Sequence, residues 1–393
     1  MIKTPQRKIK FPKGFLFGSA TAGHQIEGGN FSSDWHQFEK IPGKINNNDN
    51  ADMAANSWND WQKDIELLKK TNQNAYRFSI EWARVEPKKN FFDQKAIDHY
   101  KQQLQALKKA NIKTMVTLFH FVLPQWVSRE GGFENKQTII YFADFCEKIA
   151  QELGELVDFW ATINEPQTYV LMGYTTGEHA PGKMNFFTGL KVARNLNRAH
   201  ILAYKKMRLI TSNPVGIVEN IALWEPLYNN FLTIQFTRFI NFLATIFFIA
   251  PIAKHIDFFG INYYFKVKVQ LHKPRFHFIS KKKSDFGWSI NQDGLYHIIR
   301  ENLIWRKPIY ITENGVADKL DKHRPKFIKD ALFYIHKAIA KGADVRGYFH
   351  WTLMDNFEWA QGYSAKFGLF TIDRKIKHSA KIYADLIKNY QSD

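Results

Sequence analysis

Two stretches of the chain each end an apolar run on a glutamate. Lys307-Pro308-Ile309-Tyr310-Ile311-Thr312-Glu313-Asn314-Gly315 opens at a proline, continues in β-prone residues and breaks at Asn-Gly. Phe159-Trp160-Ala161-Thr162-Ile163-Asn164-Glu165-Pro166 has the same design. A charge at the tip of a buried strand must be paired or reactive, because burying it alone is costly. One such carboxylate reads equally well as half of a strand-end salt bridge; two of one design point to a shared site. Facing carboxylates suit glycoside cleavage. One attacks the sugar while the other, about 5–5.5 Å away, hands its proton to the leaving oxygen. Their surroundings must then differ, so that one stays ionised and the other keeps its proton. Arg77 is the candidate cation for holding one of them ionised.

Bringing residues 165 and 313 together needs a scaffold whose distant strands share one end. Short β-prone runs at 16–21, 74–80, 113–119, 157–163, 215–219, 256–262, 308–312 and 344–350 alternate with helical patterns. The helical stretches are 58–70, 94–110, 138–152, 187–210, 293–302, 324–341 and 379–390. In the second of these, Ile97, Tyr100, Leu104 and Leu107 fall on one face. With no low-complexity linker in 393 residues, the pattern predicts an α/β fold, a single (β/α)8 barrel over 1–393. Functional groups of such a barrel belong at the C-terminal ends of its strands. Polar and ring side chains do gather there: His24-Gln25-Ile26-Glu27-Gly28, Arg77 to Trp82, Phe119-His120, Asn164-Glu165, Asn262-Tyr263-Tyr264, Glu313-Asn314, His350-Trp351 and Asp355-Asn356-Phe357-Glu358-Trp359. Amides suit sugar hydroxyls, and indoles stack on the C–H faces of a sugar ring.

Thr162-Ile163-Asn164-Glu165-Pro166 and Ile311-Thr312-Glu313-Asn314-Gly315 resemble the acid/base and nucleophile motifs of glycoside hydrolase family 1, the β-glucosidase/β-galactosidase family. The resemblance covers nearly the whole chain. It includes Phe11-Pro12-Lys13-Gly14-Phe15-Leu16-Phe17-Gly18-Ser19-Ala20-Thr21-Ala22, Tyr76-Arg77-Phe78-Ser79-Ile80-Glu81-Trp82, Gly260-Ile261-Asn262-Tyr263-Tyr264 and Asp355 to Trp359. It implies a retaining exo-β-glycosidase without metal or cofactor, with Glu165 as acid/base and Glu313 as nucleophile. It further implies that Tyr264 and Arg77 tune the nucleophile. Gln25, His120, Asn164, Glu358 and Trp359 would hold the sugar hydroxyls, Asn164 taking the 2-hydroxyl. Trp351 would be the stacking floor and Phe367 an apolar wall. The expected partner is a small β-glucoside or β-galactoside, with alkyl or aryl aglycones admitted.

Departures from the family pattern narrow this. Phe121 follows the third-strand histidine where many members carry Trp, and Lys366 precedes Phe367-Gly368 where arginine is usual. The chain is shorter than typical members, with losses after strand five, after strand six and after Gly315, so a more open aglycone side is expected. Glu358 stands where relatives acting on 6-phospho-sugars have a small residue, and a carboxylate there repels phosphate. Glu165 stands where thioglucoside-cleaving relatives have glutamine. Both point to unphosphorylated O-glycosides. A rival class is a non-catalytic sugar-binding or membrane-associated scaffold, disfavoured because a binder needs no matched acid and nucleophile. A metal-dependent hydrolase is disfavoured by the absence of a His-Glu-x-x-His pattern.

The formal net charge of +18 raises the question of an anionic partner. The basic residues are spread out, and the densest run, Lys281-Lys282-Lys283, has no recognition motif beside it. A solvated cationic surface is therefore expected, and no nucleic acid. One cysteine, Cys146, excludes an intrachain disulfide. The first ten residues carry charge but no apolar h-region, so a cytoplasmic location is expected. The stretch 231–250 is the least expected. It is apolar enough to raise the question of a membrane span, yet Arg238 lies in its middle and Thr233, Thr237, Asn241 and Thr245 recur every fourth residue. It reads as the fifth barrel helix, its broad apolar face packed on its neighbours and the surplus left for an anionic membrane or a second subunit. Oligomeric state is not legible.

Overall fold

The computed structural model describes residues 9–270, 276–278 and 282–391. The charged run at 1–8 and Lys281 lie outside the described residues. Eight strands close into a parallel barrel: β1 Leu16–Ala20, β2 Ala75–Ser79, β3 Lys113–Phe119, β4 Phe159–Asn164, β5 Val215–Asn220, β6 Phe259–Asn262, β7 Ile309–Asn314 and β8 Val345–Trp351. Each is followed by a helix: α1 Ser57–Lys70, α2 Gln94–Lys109, α3 Gln137–Leu153, α4 Phe186–Arg208, α5 beginning Phe231–Asn241, α6 Asp293–Asn302, α7 Arg324–Ile339 and α8 His378–Gln391. Parallel pairing runs in chain order from β1 to β8, and β8 closes on β1 with Ala20 opposite Trp351.

Local chemistry sets these elements. Asp93, Asn185 and Asn230 cap α2, α4 and α5 by accepting from backbone N–H groups that no helical carbonyl can reach. Ile97, Tyr100, Leu104 and Leu107 form the wholly buried face of α2, as their spacing predicts. Three of the strand pairings slip register near their C-terminal ends: β4 on β5 between Ala161 and Asn164, β7 on β6 between Ile311 and Glu313, and β7 on β8 between Ile311 and Asn314. Such irregularities re-aim side chains, and these lie where the two glutamates leave the sheet.

Two features differ from the sequence reading. Leu223–Pro226, Lys266–Val269 and Phe276–His277 form a small sheet beside the barrel that no hydrophobic pattern announced. The fifth helix is also turned the other way from expectation. Its threonine stripe faces inward, with Thr233, Thr237 and Thr245 at 3, 5 and 8% exposure, whereas Phe231, Leu232, Phe239 and Phe242 are 73, 61, 54 and 46% exposed. Thr237 donates back to the Thr233 carbonyl at 2.8 Å, so part of the buried stripe satisfies itself within the helix. The broad apolar face is not packed on neighbours; only toward the helix end do Phe248, Ile249 and Ile252 enter the core.

Candidate active site

At the C-terminal end of the barrel a cleft of about 450 Å³ opens. A second hollow, about 550 Å³, lies at the opposite end between Pro12, Lys113, Asp158 and Arg346, away from both glutamates. Glu165, Glu313, His120, Asn164, Tyr264, Trp351, Glu358, Trp359 and Phe367 all line the first cleft. Arg77 and Gln25 are fully buried beside it.

Glu313 is the better solvated by dipoles and charge. Arg77 donates to its Oε1 at 2.5 Å and Tyr264 to its Oε2 at 2.6 Å. Arg77 is fixed in turn by Asn164 Oδ1 at 2.6 Å, the Thr312 carbonyl at 3.2 Å and Thr117 Oγ1 at 3.2 Å. Burial raises the Glu313 carboxyl above its ordinary range, while Arg77 and the Tyr264 hydroxyl pull it back. Burial, with the Glu313 charge nearby, keeps the Tyr264 phenol well above its usual value and therefore protonated.

Glu165 lies in a different setting. It adopts a left-handed backbone (φ 46°) at the head of the short helix Pro166–Val170. Proline at the next position disfavours the right-handed helical region for Glu165, and Pro166 itself begins the helix at no hydrogen-bonding cost. Its Oε1 accepts from Asn262 at 2.6 Å and its Oε2 from Asn220 at 3.2 Å, neither donor a cation. Burial, and next the Glu313 charge, push its carboxyl up to about 7. The Asn262 amide lies between the two acids, stabilising the charge of both, and Thr312 Oγ1 holds its carbonyl at 2.7 Å.

The remaining groups surround this pair. Asn164 Nδ2 approaches His120 Nε2 at 3.2 Å, and burial with the Arg77 charge holds His120 well below its ordinary value, hence neutral. Gln25 donates to the Phe357 carbonyl at 2.8 Å and toward Glu358 Oε2 at 3.4 Å. Burial pushes Glu358 up to about 8, against a hydrogen bond from Trp351. The rings of His120 and Trp351 are stacked at 5.9 Å, those of His120 and Trp359 at 6.0 Å. Phe121 packs on Trp359 at 5.3 Å. Gln25 Oε1 and His120 Nδ1 are buried and without a partner among the described residues.

Several contributors escaped sequence reasoning. Asn220 was missed because the fifth strand was read as ending at residue 219, although it is a polar residue at a strand exit like the others. Trp288 and Phe286 wall the cleft beside Phe367, at 6.5 and 5.6 Å from it, from a loop without periodicity. Among the described residues one group has metal-ligand spacing, His36, Glu39 and Asp52. The Glu39 oxygens are already taken by His24 at 2.7 Å and the Ala51 N–H at 3.0 Å, so the group is explained without an ion.

The model of the family described as Glycosyl hydrolase family 1 matches residues 7–254 and 248–392. Beta-glucosidase A of Thermotoga maritima is 34% identical, the alignment covering 97% of this chain and 98% of that protein. It runs over 437 positions against 393 residues here, so the relative carries segments that this chain lacks. Among solved structures, the Thermotoga maritima beta-glucosidase in complex with glucoimidazole superposes with a TM-score of 0.93 at 32% identity, covering 97% of this chain and 99% of that one. The beta-glycosidase from Pyrococcus horikoshii gives 0.90 at 34% identity, covering 98 and 99%. Sequence along almost the full length and a barrel of the same course agree, and the chain belongs to glycosyl hydrolase family 1.

Proposed function

We propose that this chain hydrolyses β-D-glucosides and related β-glycosides at their non-reducing end by double displacement, with the whole of 1–393 as one catalytic unit. The observation that carries the assignment of roles is the unequal environment of the two acids. Glu313 faces a guanidinium and a phenol, which favour its anion; Glu165 faces two amides and the Glu313 charge, which favour its acid. In the first step Glu313 attacks the anomeric carbon while Glu165 protonates the departing oxygen. In the second, Glu165, now ionised, takes a proton from water, which displaces Glu313. Two inversions leave the configuration unchanged.

Gln25, His120, Asn164, Glu358 and Trp359 are assigned to the sugar hydroxyls, Trp351 to the stacking floor and Phe367 to the wall. The unpartnered Gln25 Oε1 and His120 Nδ1 support this, since buried polar atoms without partners are rare unless a ligand completes them. Asn164 is partly committed: its carbonyl serves Arg77 and Asn262 and its Nδ2 meets His120, which leaves one N–H for the 2-hydroxyl. A Glu358 carboxyl near 8 changes the reason for rejecting 6-phospho-sugars. At neutral pH it is mostly a neutral donor, so the exclusion rests on the Glu313 charge and on the cleft lining having no lysine or arginine among the described residues.

Glucose as the sugar is supported by the printed activity of the Thermotoga maritima relative and by its complexes with glucoimidazole and deoxynojirimycin. The missing length supports an aglycone side open to alkyl and aryl groups. The location proposed is the cytoplasm, peripheral to a membrane, which the solitary buried Cys146 suits. Release of nitrophenol from aryl β-glucosides, with Glu313→Gln as control, tests the assignment. Turnover by the native chain and none by the variant is expected. Sugar binding without turnover, or turnover of 6-phospho substrates alone, contradicts it.

A further inference from the structure

The outer surface of α4 and α5 combines two properties. Every exposed side chain of α4 is a phenylalanine or a cation, among them Phe186, Phe187, Lys191, Arg194, Arg198 and Lys205. On α5 the exposed face carries Phe231, Leu232, Arg238, Phe239 and Phe242. Neither helix contains an aspartate or glutamate, although α4 has 23 residues and α5 runs on to His255. Lys206 and Arg208 are paired with acids from elsewhere, whereas Lys191, Arg194, Arg198 and Lys205 make no ion pair among the described residues.

The two helices follow successive barrel strands, β4 and β5, and meet at the end of α5. His200 of α4 contacts the carbonyl of His255, at the end of α5, at 2.8 Å. Each helix returns from the C-terminal end of its strand, so their first turns, with Phe186, Phe187, Phe231 and Leu232, lie toward the end of the barrel that holds the cleft. Leu171, which lines the cleft and is 49% exposed, belongs to the segment just before α4.

Crossing a membrane is ruled out for α5 by its place in the closed barrel, with its threonines and its final turns buried. Several exposed rings on one helix face, as Phe231, Phe239 and Phe242 are on α5, nonetheless mark an interaction surface. A second copy is a poor occupant, because a two-fold interface would set this cationic face against itself. Rings among unpaired cations with no acid match the interfacial zone of an anionic bilayer, and the net charge of +18 has the same sign. We propose that the α4–α5 face docks on an anionic lipid surface, its phenylalanines at the acyl–headgroup boundary and its α4 cations against the phosphates, with the cleft mouth held beside the bilayer.

The test is co-sedimentation of the full chain with sucrose-loaded vesicles of phosphatidylcholine alone or with about one third phosphatidylglycerol, at low and at high salt. Two variants accompany it, Phe231→Ser/Phe239→Ser/Phe242→Ser and Lys191→Glu/Arg194→Glu/Arg198→Glu. All six positions are exposed, so turnover of a soluble aryl glucoside should match the native chain. The native protein should pellet with anionic vesicles at least about tenfold more than with neutral ones, less at high salt, and each variant should lose about tenfold or more. The proposal is overturned if the native chain stays in the supernatant, or if both variants pellet like it. It is equally overturned if the serine variant turns a dimer into a monomer in sedimentation velocity, which would make a second copy the occupant.

Discussion

Replacing Tyr264 with phenylalanine removes one hydroxyl and little else. The ring keeps its edge contacts with Trp288 at 5.9 Å and Phe367 at 6.2 Å, while the 2.6 Å hydrogen bond to Glu313 Oε2 is lost. A hydrogen bond to a buried charged group contributes about 1.5–3 kcal/mol. This one acts on the ionised carboxyl only, so its loss raises the Glu313 pKa, by about 1–2 units at 1.36 kcal/mol per unit. Arg77 remains at Oε1, which keeps the shift toward the lower figure. The sign is fixed: ionised Glu313 is needed for attack, so the acid limb of kcat/KM moves up in pH. The basic limb, set by Glu165 near 7, stays. The active window closes from below, and the loss at about pH 5 exceeds that at about pH 7. Initial rates on an aryl β-glucoside from about pH 4 to about pH 9 measure both limbs. An acid limb that does not move, with a uniform drop at every pH, would refute the charge-tuning argument and leave Tyr264 a substrate contact.

Glu165→Gln should abolish the basic limb and slow deglycosylation by about 100-fold or more, with a smaller effect on the first step for aryl leaving groups that need no proton; burst kinetics separate the two. Gly315→Ala should lower the unfolding midpoint and activity together, because a Cβ there would lie 2.0 Å from the Trp351 carbonyl and push the indole floor by overpacking worth about 1–3 kcal/mol. Stability should also fall with rising pH. Asp34 and Glu358 hold their protons up to about 7 and about 8 in the folded chain, well above the unfolded values. Their stabilising contribution is therefore complete below the ordinary carboxylate range and is lost as pH climbs through those values. Thermal midpoints at about pH 5 and pH 8 check the direction, and Glu358→Gln should flatten the slope.

The barrel and most of the cleft were legible because both rest on short-range rules. Apolar runs that stop at a glutamate, an asparagine or a tryptophan mark strand ends, and a parallel barrel collects those ends at one rim. The predicted strands and helices fall within a few residues of the observed ones, and nine of the eleven proposed site residues share the cleft surface. Arg77 and Gln25 are fully buried beside it, bonded to Glu313 and to the Phe357 carbonyl. What failed depended on how non-neighbouring pieces meet. The direction of α5 was misread because a helix apolar almost all round has no dominant face, and its threonines, able to bond their own backbone, tolerate the buried side as well as phenylalanines do. The small side sheet and the Trp288 wall come from loops, where single residues matter and periodicity is absent.

The central claim, that Glu313 forms the bond to the sugar, is best tested by trapping it. A 2-fluoro-β-glucoside with a good leaving group slows both steps but release of the enzyme ester more, so the glycosyl-enzyme accumulates. Mass spectrometry of the intact chain should show one added fluoroglycosyl unit, and peptide mapping should place it on Glu313. No adduct during measurable turnover, or an adduct on Glu165 or any other residue, would contradict the account.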